Sequence, residues 1–165
     1  MNIFLDLDGV IHKTQDIQDY NHARIFATVP EYEGAREFVE QLKEVSRENG
    51  HNLMIMSKVF VPSTDDRYIY QYRDKLQRCR MLGFLYDDSI ILASNIDKNI
   101  FCQCGDILID DFGHNIELWE KAGGVGIQFR EHKQKGWITA ENYAETIHKI
   151  KLILSAKAVR GDLVV

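Results

Sequence analysis

The chain has 165 residues, enough for one domain with a sizeable core, and its 45% hydrophobic content is that of an ordinary globular protein. A formal net charge of −5 offers no electrostatic basis for broad binding to nucleic acid or to a membrane surface. No apolar run reaches the length of a bilayer span. The first element is then an apolar run, Ile3 to Leu5, ending in Asp6-Leu7-Asp8-Gly9. Such a run fits a strand buried on both faces, so its polar end is the one that meets solvent or a ligand. The strand is expected to stop near Asp6, with Gly9 turning the chain so that both acids line one pocket. Two acids held together repel, and a bound cation or a shared proton relieves them. No basic region precedes the run and no cleavage signal follows it, so the start reads as that of a mature cytoplasmic protein.

From Ile11 to Tyr32 the chain is polar and irregular, with His12, Asp16, Asp19, Tyr20, His22 and Arg24. The stretch is longer than a normal connection and reads either as a short lid over the acidic turn or as a surface loop. A helix is expected from Glu31 to Asn49, where Ala35, Phe38, Val39, Leu42 and Val45 recur at helical spacing and Gly50 follows. Leu53 to Met56 is a second buried strand, and Ser57-Lys58 places a hydroxyl and an ammonium past its end. A helix with Tyr68, Ile69, Tyr72, Leu76, Cys79 and Leu82 on its apolar face follows, ended by Gly83. The third strand is Ile90 to Ala93, and the connection after it carries Lys98.

Asp106 to Ile109 makes the fourth strand, and Asp110-Asp111 forms a second acidic strand end. A helix with Ile116, Leu118 and Trp119 leads through Gly123-Gly124 to a fifth strand, Val125 to Phe129. The spacing of Trp119 assigns it to the core. A polar loop with Lys133 and Lys135 is expected over 130–137, a last helix from Ala140 to Val159, and a loose or edge-extending tail from Gly161 to Val165. Cys79, Cys102 and Cys104 are odd in number and lack a Cys-x-x-Cys pair, so they read as reduced packing residues.

Strands alternating with helices predict an α/β fold with a parallel sheet covered on both faces. Ligands in such sheets bind beyond the carboxyl ends of the strands. Asp6, Asp8, Ser57, Lys98, Asp110 and Asp111 all lie just past strand ends, so one sheet edge is expected to collect them. Clustered carboxylates need a hard cation, and oxygen-only donors favour Mg²⁺. Ser57 and Lys98 would then face an anionic oxygen group such as phosphate, with Lys58 as a rival to Lys98.

Asp6-Leu7-Asp8-Gly9-Val10 resembles the first motif of the haloacid dehalogenase-like (HAD) phosphohydrolases. Ser57 is similar to their second motif, Lys98 to their third and Asp110-Asp111 to their fourth. Within that superfamily, Asp106 to Asp111, Asn115, Trp119 and Ala122 to Phe129 resemble the 5′(3′)-deoxyribonucleotidases, as does Tyr32-Glu33-Gly34-Ala35. The insertion after the first motif is shorter here than the helical cap of those nucleotidases. Gly105-Asp106 mimics a variant fourth motif, but Asp106 begins its strand and faces the wrong end.

The resemblance implies a three-layer Rossmann-like HAD fold over residues 1–165, with a five-stranded parallel sheet, residues 11–32 as a short lid, and a small or absent cap. It implies Asp6 as nucleophile and Asp8 as general acid and base. Mg²⁺ would be held by Asp6, the Asp8 carbonyl and Asp110, with Asp111 ligating through water or orienting the shell. Ser57 and Lys98, with Lys58 as alternative and Gly9 in the turn, would bind the phosphoryl oxygens. The expected activity is Mg²⁺-dependent hydrolysis of a phosphomonoester, with a (deoxy)nucleoside monophosphate as substrate and Tyr20 or Phe60 either stacking on its base or packed. Two alternatives are an open-site phosphatase acting on a nucleic-acid 3′-phosphate and a non-catalytic module that senses a phosphorylated ligand.

Overall fold

The computed structural model describes residues 1–14, 17–86, 89–95, 97–129 and 138–161, with side chains up to residue 156. Asp16, the loop expected over 130–137 with Lys133 and Lys135, and the tail beyond residue 161 lie outside the described residues.

Six strands form one sheet: β1 (Asn2–Leu5), β2 (Asn52–Lys58), β3 (Ile90–Ala93), β4 (Ile107–Asp110), β5 (Val125–Phe129) and β6 (Ile138–Ala140). Their order is β3-β2-β1-β4-β5-β6, and every neighbouring pair is parallel. The α/β class and the parallel sheet are as expected. The strand count is six rather than five, because Ile138–Ala140 pairs with β5. Three residues are too few to show a periodicity, and they fall between the loop predicted over 130–137 and the helix predicted from Ala140.

The helices are α1 (Ile25–Thr28), α2 (Ala35–Glu48), α3 (Tyr68–Met81), α4 (Gly113–Lys121) and α5 (Tyr143–Gly161), with a 3₁₀ turn at Lys98–Phe101. Among the described residues no helix is long and apolar enough to cross a membrane. Alternation along β1 divides the core. Ile3 and Leu5 join Phe38, Val39 and Leu42 of α2 and Ile150 of α5 on one face. Phe4 points to the other face, where it meets the fully buried Trp119 of α4 edge to face at 5.2 Å. Trp119 is core, as its spacing predicts.

The register aligns the strand ends. Leu5 stands level with Ile109 on one side and Ile55 on the other. Asp6 and Asp110 follow that level by one residue, and Ser57 follows Ile55 by two. Adjacency of β1 to β4 thus puts the two acidic strand ends side by side. Asp106 lies at the opposite end of β4, where its carboxylate accepts from the Asn2 backbone N–H at 2.7 Å and ties the two strand starts together.

Candidate active site

The site is built on the turn that leaves β1. Asp6 still belongs to the sheet ladder, its N–H donating to Ile109 at 3.0 Å, and its Oδ1 accepts from the Leu7 N–H at 2.8 Å. The chain then folds back, with the Ile11 and His12 N–H groups both donating to the Leu7 carbonyl, at 2.7 and 2.8 Å. Leu7, Val10 and Ile11 bury their side chains beneath the turn, so the polar groups are left on the rim. Gly9 has φ +71°, and a Cβ there would lie 1.7 Å from Asp111 Oδ2. Only glycine fits, because the backbone is left-handed and the Asp111 carboxylate rests against it.

Asp110 is buried at the end of β4. Its Oδ1 accepts from the Phe112 N–H at 2.8 Å and its Oδ2 from Asn115 Nδ2 at 2.9 Å, so the start of α4 fixes the carboxylate. Lys98, from the 3₁₀ turn, is buried and lies between the two strand ends, 2.6 Å from Asp110 Oδ2 and 3.1 Å from Asp6 Oδ1. One carboxylate oxygen each from Asp6, Asp110 and Asp111 falls within 4.8 Å of the others. Asp8 stands outside that trio. Its Oδ2 accepts from Ser57 Oγ at 3.3 Å and is paired with the ammonium of Lys75.

Lys75 is not among the residues that the sequence pattern points to. It lies on α3, is fully buried, and also donates to Ser57 Oγ at 3.0 Å and to the Lys58 carbonyl. The part of Lys58 that meets the site is therefore its carbonyl, while its side chain is exposed at the end of β2. The expected apolar face of α3 is also corrected. Cys79 and Leu82 are buried as that face requires, but Ile69 is 52% exposed and the helix also buries Gln71, Asp74 and Lys75. Gln71, Asp74, Lys75 and Arg78 stand at i, i+3, i+4 and i+7, the spacing of one helical face. That polar stripe is the signal in the sequence, masked because lysine and arginine on a helix ordinarily face water.

The stripe holds the segment that follows the acidic turn. Gln71 Nε2 donates to the carbonyls of Tyr20 and His22, at 3.0 and 3.1 Å. Arg24 forks onto Asp74 at 2.7 and 2.9 Å, and Arg78 donates to the carbonyls of Phe26, Ala27 and Val29. Phe60 packs between Tyr20 and Phe26, with ring centroids 5.0 Å from each. Residues 17–30 thus form a strap laid along α3. His12, at its root, is fully buried 3.5 Å from Asp8 Oδ1, and neither of its ring nitrogens has a hydrogen-bond partner among the described residues.

Crowding sets the charges. Burial, with the charges of Asp6 and Asp110 added, pushes the Asp111 carboxyl up to about 8. Burial also raises Asp6, to about 6, against the pull of Lys98. For Asp8 burial pushes the same way, but Lys75 and His12 outweigh it and hold the carboxyl below its usual range. Burial works against the Lys98 charge, yet Asp110 and Asp6 hold its ammonium well above the ordinary value. Three oxygen donors that repel one another and include no sulfur or nitrogen fit a hard divalent cation of the Mg²⁺ kind.

No protein-family model matches the chain, and no curated protein matches it in sequence. Solved structures match its fold. The D,D-heptose 1,7-bisphosphate phosphatase of B. bronchiseptica, complexed with magnesium and phosphate, superposes with a TM-score of 0.59 at 13% identity, covering 92% of this chain and 98% of that one. The corresponding enzyme of Burkholderia thailandensis gives 0.61 at 12% identity, over 91% and 97%. A HAD-superfamily hydrolase from Ehrlichia chaffeensis gives 0.59 at 12%, over 93% and 97%. The chain therefore has the Rossmann-like α/β fold of HAD-superfamily hydrolases.

Proposed function

We propose that this chain is a Mg²⁺-dependent phosphatase that hydrolyses a small phosphomonoester through an aspartyl-phosphate on Asp6. The observation that carries this reading is the meeting of Asp6, Asp110 and Asp111 on one rim with Lys98 between the strand ends and Asp8 beside them. Asp6, Asp110 and Asp111 would hold the ion, which supplies the positive charge that lets a phosphate dianion approach carboxylates.

The chain's own residues do the rest. Asp6 attacks phosphorus in line, and Lys98 takes charge from the phosphoryl oxygens as it grows there. Ser57, whose hydroxyl donates to Asp8 Oδ2 within the same cluster, would turn that hydrogen to the phosphoryl oxygens when the ester binds. Asp8 serves proton transfer at the leaving group and then at the attacking water. A phosphate-sensing module without turnover has no use for Asp8 in that place.

For the substrate we favour a nucleoside monophosphate. Tyr20 and Phe60 are committed to each other and to Phe26 in the strap. Phe112 is an open aromatic next to the acids: it follows Asp111 directly, is 57% exposed, and lies edge-on to His114. A flat ring at the rim suits a base.

Phosphate release from deoxynucleotides, ribonucleotides and a 3′-phosphorylated oligonucleotide, with and without Mg²⁺, tests both levels. Mg²⁺-dependent turnover is expected, fastest on a mononucleotide. Asp8→Asn should lose roughly 10²- to 10⁴-fold in kcat, and Asp6→Asn should fall to background. Full activity of the Asp6→Asn protein would remove the nucleophile.

A further inference from the structure

The chain is acidic overall, with a net charge of −5, yet residues 67–80 hold five arginine or lysine residues against one acid. Lys75 and Arg78 of that group face the turn and the strap, and Arg67 is forked onto Asp65. Arg73 and Arg80 stand on the outer face of α3, where both are exposed. Tyr70 lies on the same helical face, 48% exposed. These three residues, with Arg24 of the strap and its partner Asp74, line a cleft of about 430 Å³. Asp74 is buried, and its two oxygens accept from Arg24 Nε and Nη2 at 2.7 and 2.9 Å. That fork fixes the guanidinium plane and leaves Nη1 without a hydrogen bond among the described residues, on a side chain 57% exposed. Arg73 likewise has no ion pair among the described residues. Three guanidiniums against one carboxylate leave the cleft cationic.

We propose that this cleft is a second ligand site, separate from the acidic rim, and that it takes a nucleoside polyphosphate. The order of groups along α3 carries the choice. At 1.5 Å of rise per residue, Arg73 lies about 5 Å and Arg80 about 15 Å beyond Tyr70. A ligand with a flat ring at one end and several negative charges toward the other matches that row. A lone phosphate would use one end of it and leave the ring and the far cation idle. The volume is that of a small-molecule pocket. Tyr70 offers its ring to the base, and Arg73, Arg80 and the pre-set Arg24 offer charged donors to the phosphates. Because Arg24 belongs to the strap and the others to α3, the bound ligand would also bridge the two.

The test is calorimetric titration of ADP into the full chain at low ionic strength with a metal chelator present. Without a divalent ion the carboxylate rim repels a polyphosphate, so the acidic site stays out of the measurement. Saturable binding is expected. Arg73→Glu should weaken it by roughly 10- to 100-fold, and Tyr70→Leu by about threefold to tenfold. Arg47→Glu, the same change of charge on an exposed residue of α2, should leave it within about twofold, since screening removes distant charges. Amide exchange should slow over residues 17–30 and 70–80 when ADP is bound. No binding at millimolar ADP overturns the proposal, as does an Arg73→Glu protein that binds like wild type or an Arg47→Glu protein that loses as much. Protection confined to the turns after β1 and β4 would put the ligand in the acidic site and overturn it too. Tripolyphosphate binding as tightly as ADP would remove the base from recognition, and a short single-stranded oligonucleotide binding more tightly than ADP would make the cleft a strand site; either result overturns the assignment to a nucleoside polyphosphate.

Discussion

Asp111 can approach the β1 turn only because residue 9 has no side chain. A methyl group at Gly9 would sit 1.7 Å from Asp111 Oδ2 and 2.2 Å from its Cγ, and the backbone there is left-handed. Gly9→Ala should therefore displace the carboxylate and weaken Mg²⁺ binding by about 10- to 100-fold, the usual cost of losing support around a ligand. The backbone penalty adds about 1–2 kcal/mol of lost stability. Titration calorimetry of Mg²⁺ beside a melting curve checks both. Unchanged affinity would mean that Asp111 has no part in holding the ion.

At the scale of elements, α3 is the piece whose chemistry departs most from its pattern. It turns a polar stripe inward, and the strap from residue 17 to 30 is bonded to that stripe through backbone carbonyls. Gln71 makes two such links, donating to Tyr20 and His22, and also accepts from the Phe60 N–H, outside the strap, at 3.2 Å. Gln71→Leu removes them and leaves carbonyls to find water. The strap should loosen by about 1–2 kcal/mol, raising amide exchange over residues 17–30 by roughly tenfold while the sheet stays protected. Equal acceleration in β1 and β4 would show that strap and sheet open as one unit. The short β6 makes the opposite point. Ile138 and Thr139 favour a strand, but three residues stay one only through their pairing with β5.

Taken as a whole, the molecule concentrates negative charge at one end of its sheet. Asp111 lies at about 8 and Asp6 at about 6, both above the 3.8 of a free aspartate. Between roughly pH 4 and 8 the folded metal-free chain therefore binds more protons than the unfolded one. Stability must fall as pH rises across that window. The melting temperature without Mg²⁺ should decline from pH 5 to pH 8, and excess Mg²⁺ should reverse the decline, because the ion replaces the protons. Below pH 8, Mg²⁺ affinity should rise with pH, by up to about tenfold per unit for each proton displaced. A melting temperature that is flat with pH and indifferent to Mg²⁺ would show that the carboxylates do not form one cluster.

By itself the sequence determined the α/β class, the parallel sheet and the acidic strand ends, because buried parallel strands are written as apolar runs and their polar ends are abrupt. Asp6, Asp110, Lys98 and Ser57 were legible on that ground, and Gly9 from the turn its neighbours require. What only the tertiary structure decided was which lysine meets which acid. Lys58, Lys75 and Lys98 are alike as letters. Lys75 sits mid-helix, where the local pattern assigns it to solvent, and it becomes buried because the strap and β2 close over the same face of α3. Local periodicity records which residues share a face. It does not record what lies against that face, and the energy of a buried charge depends on the latter.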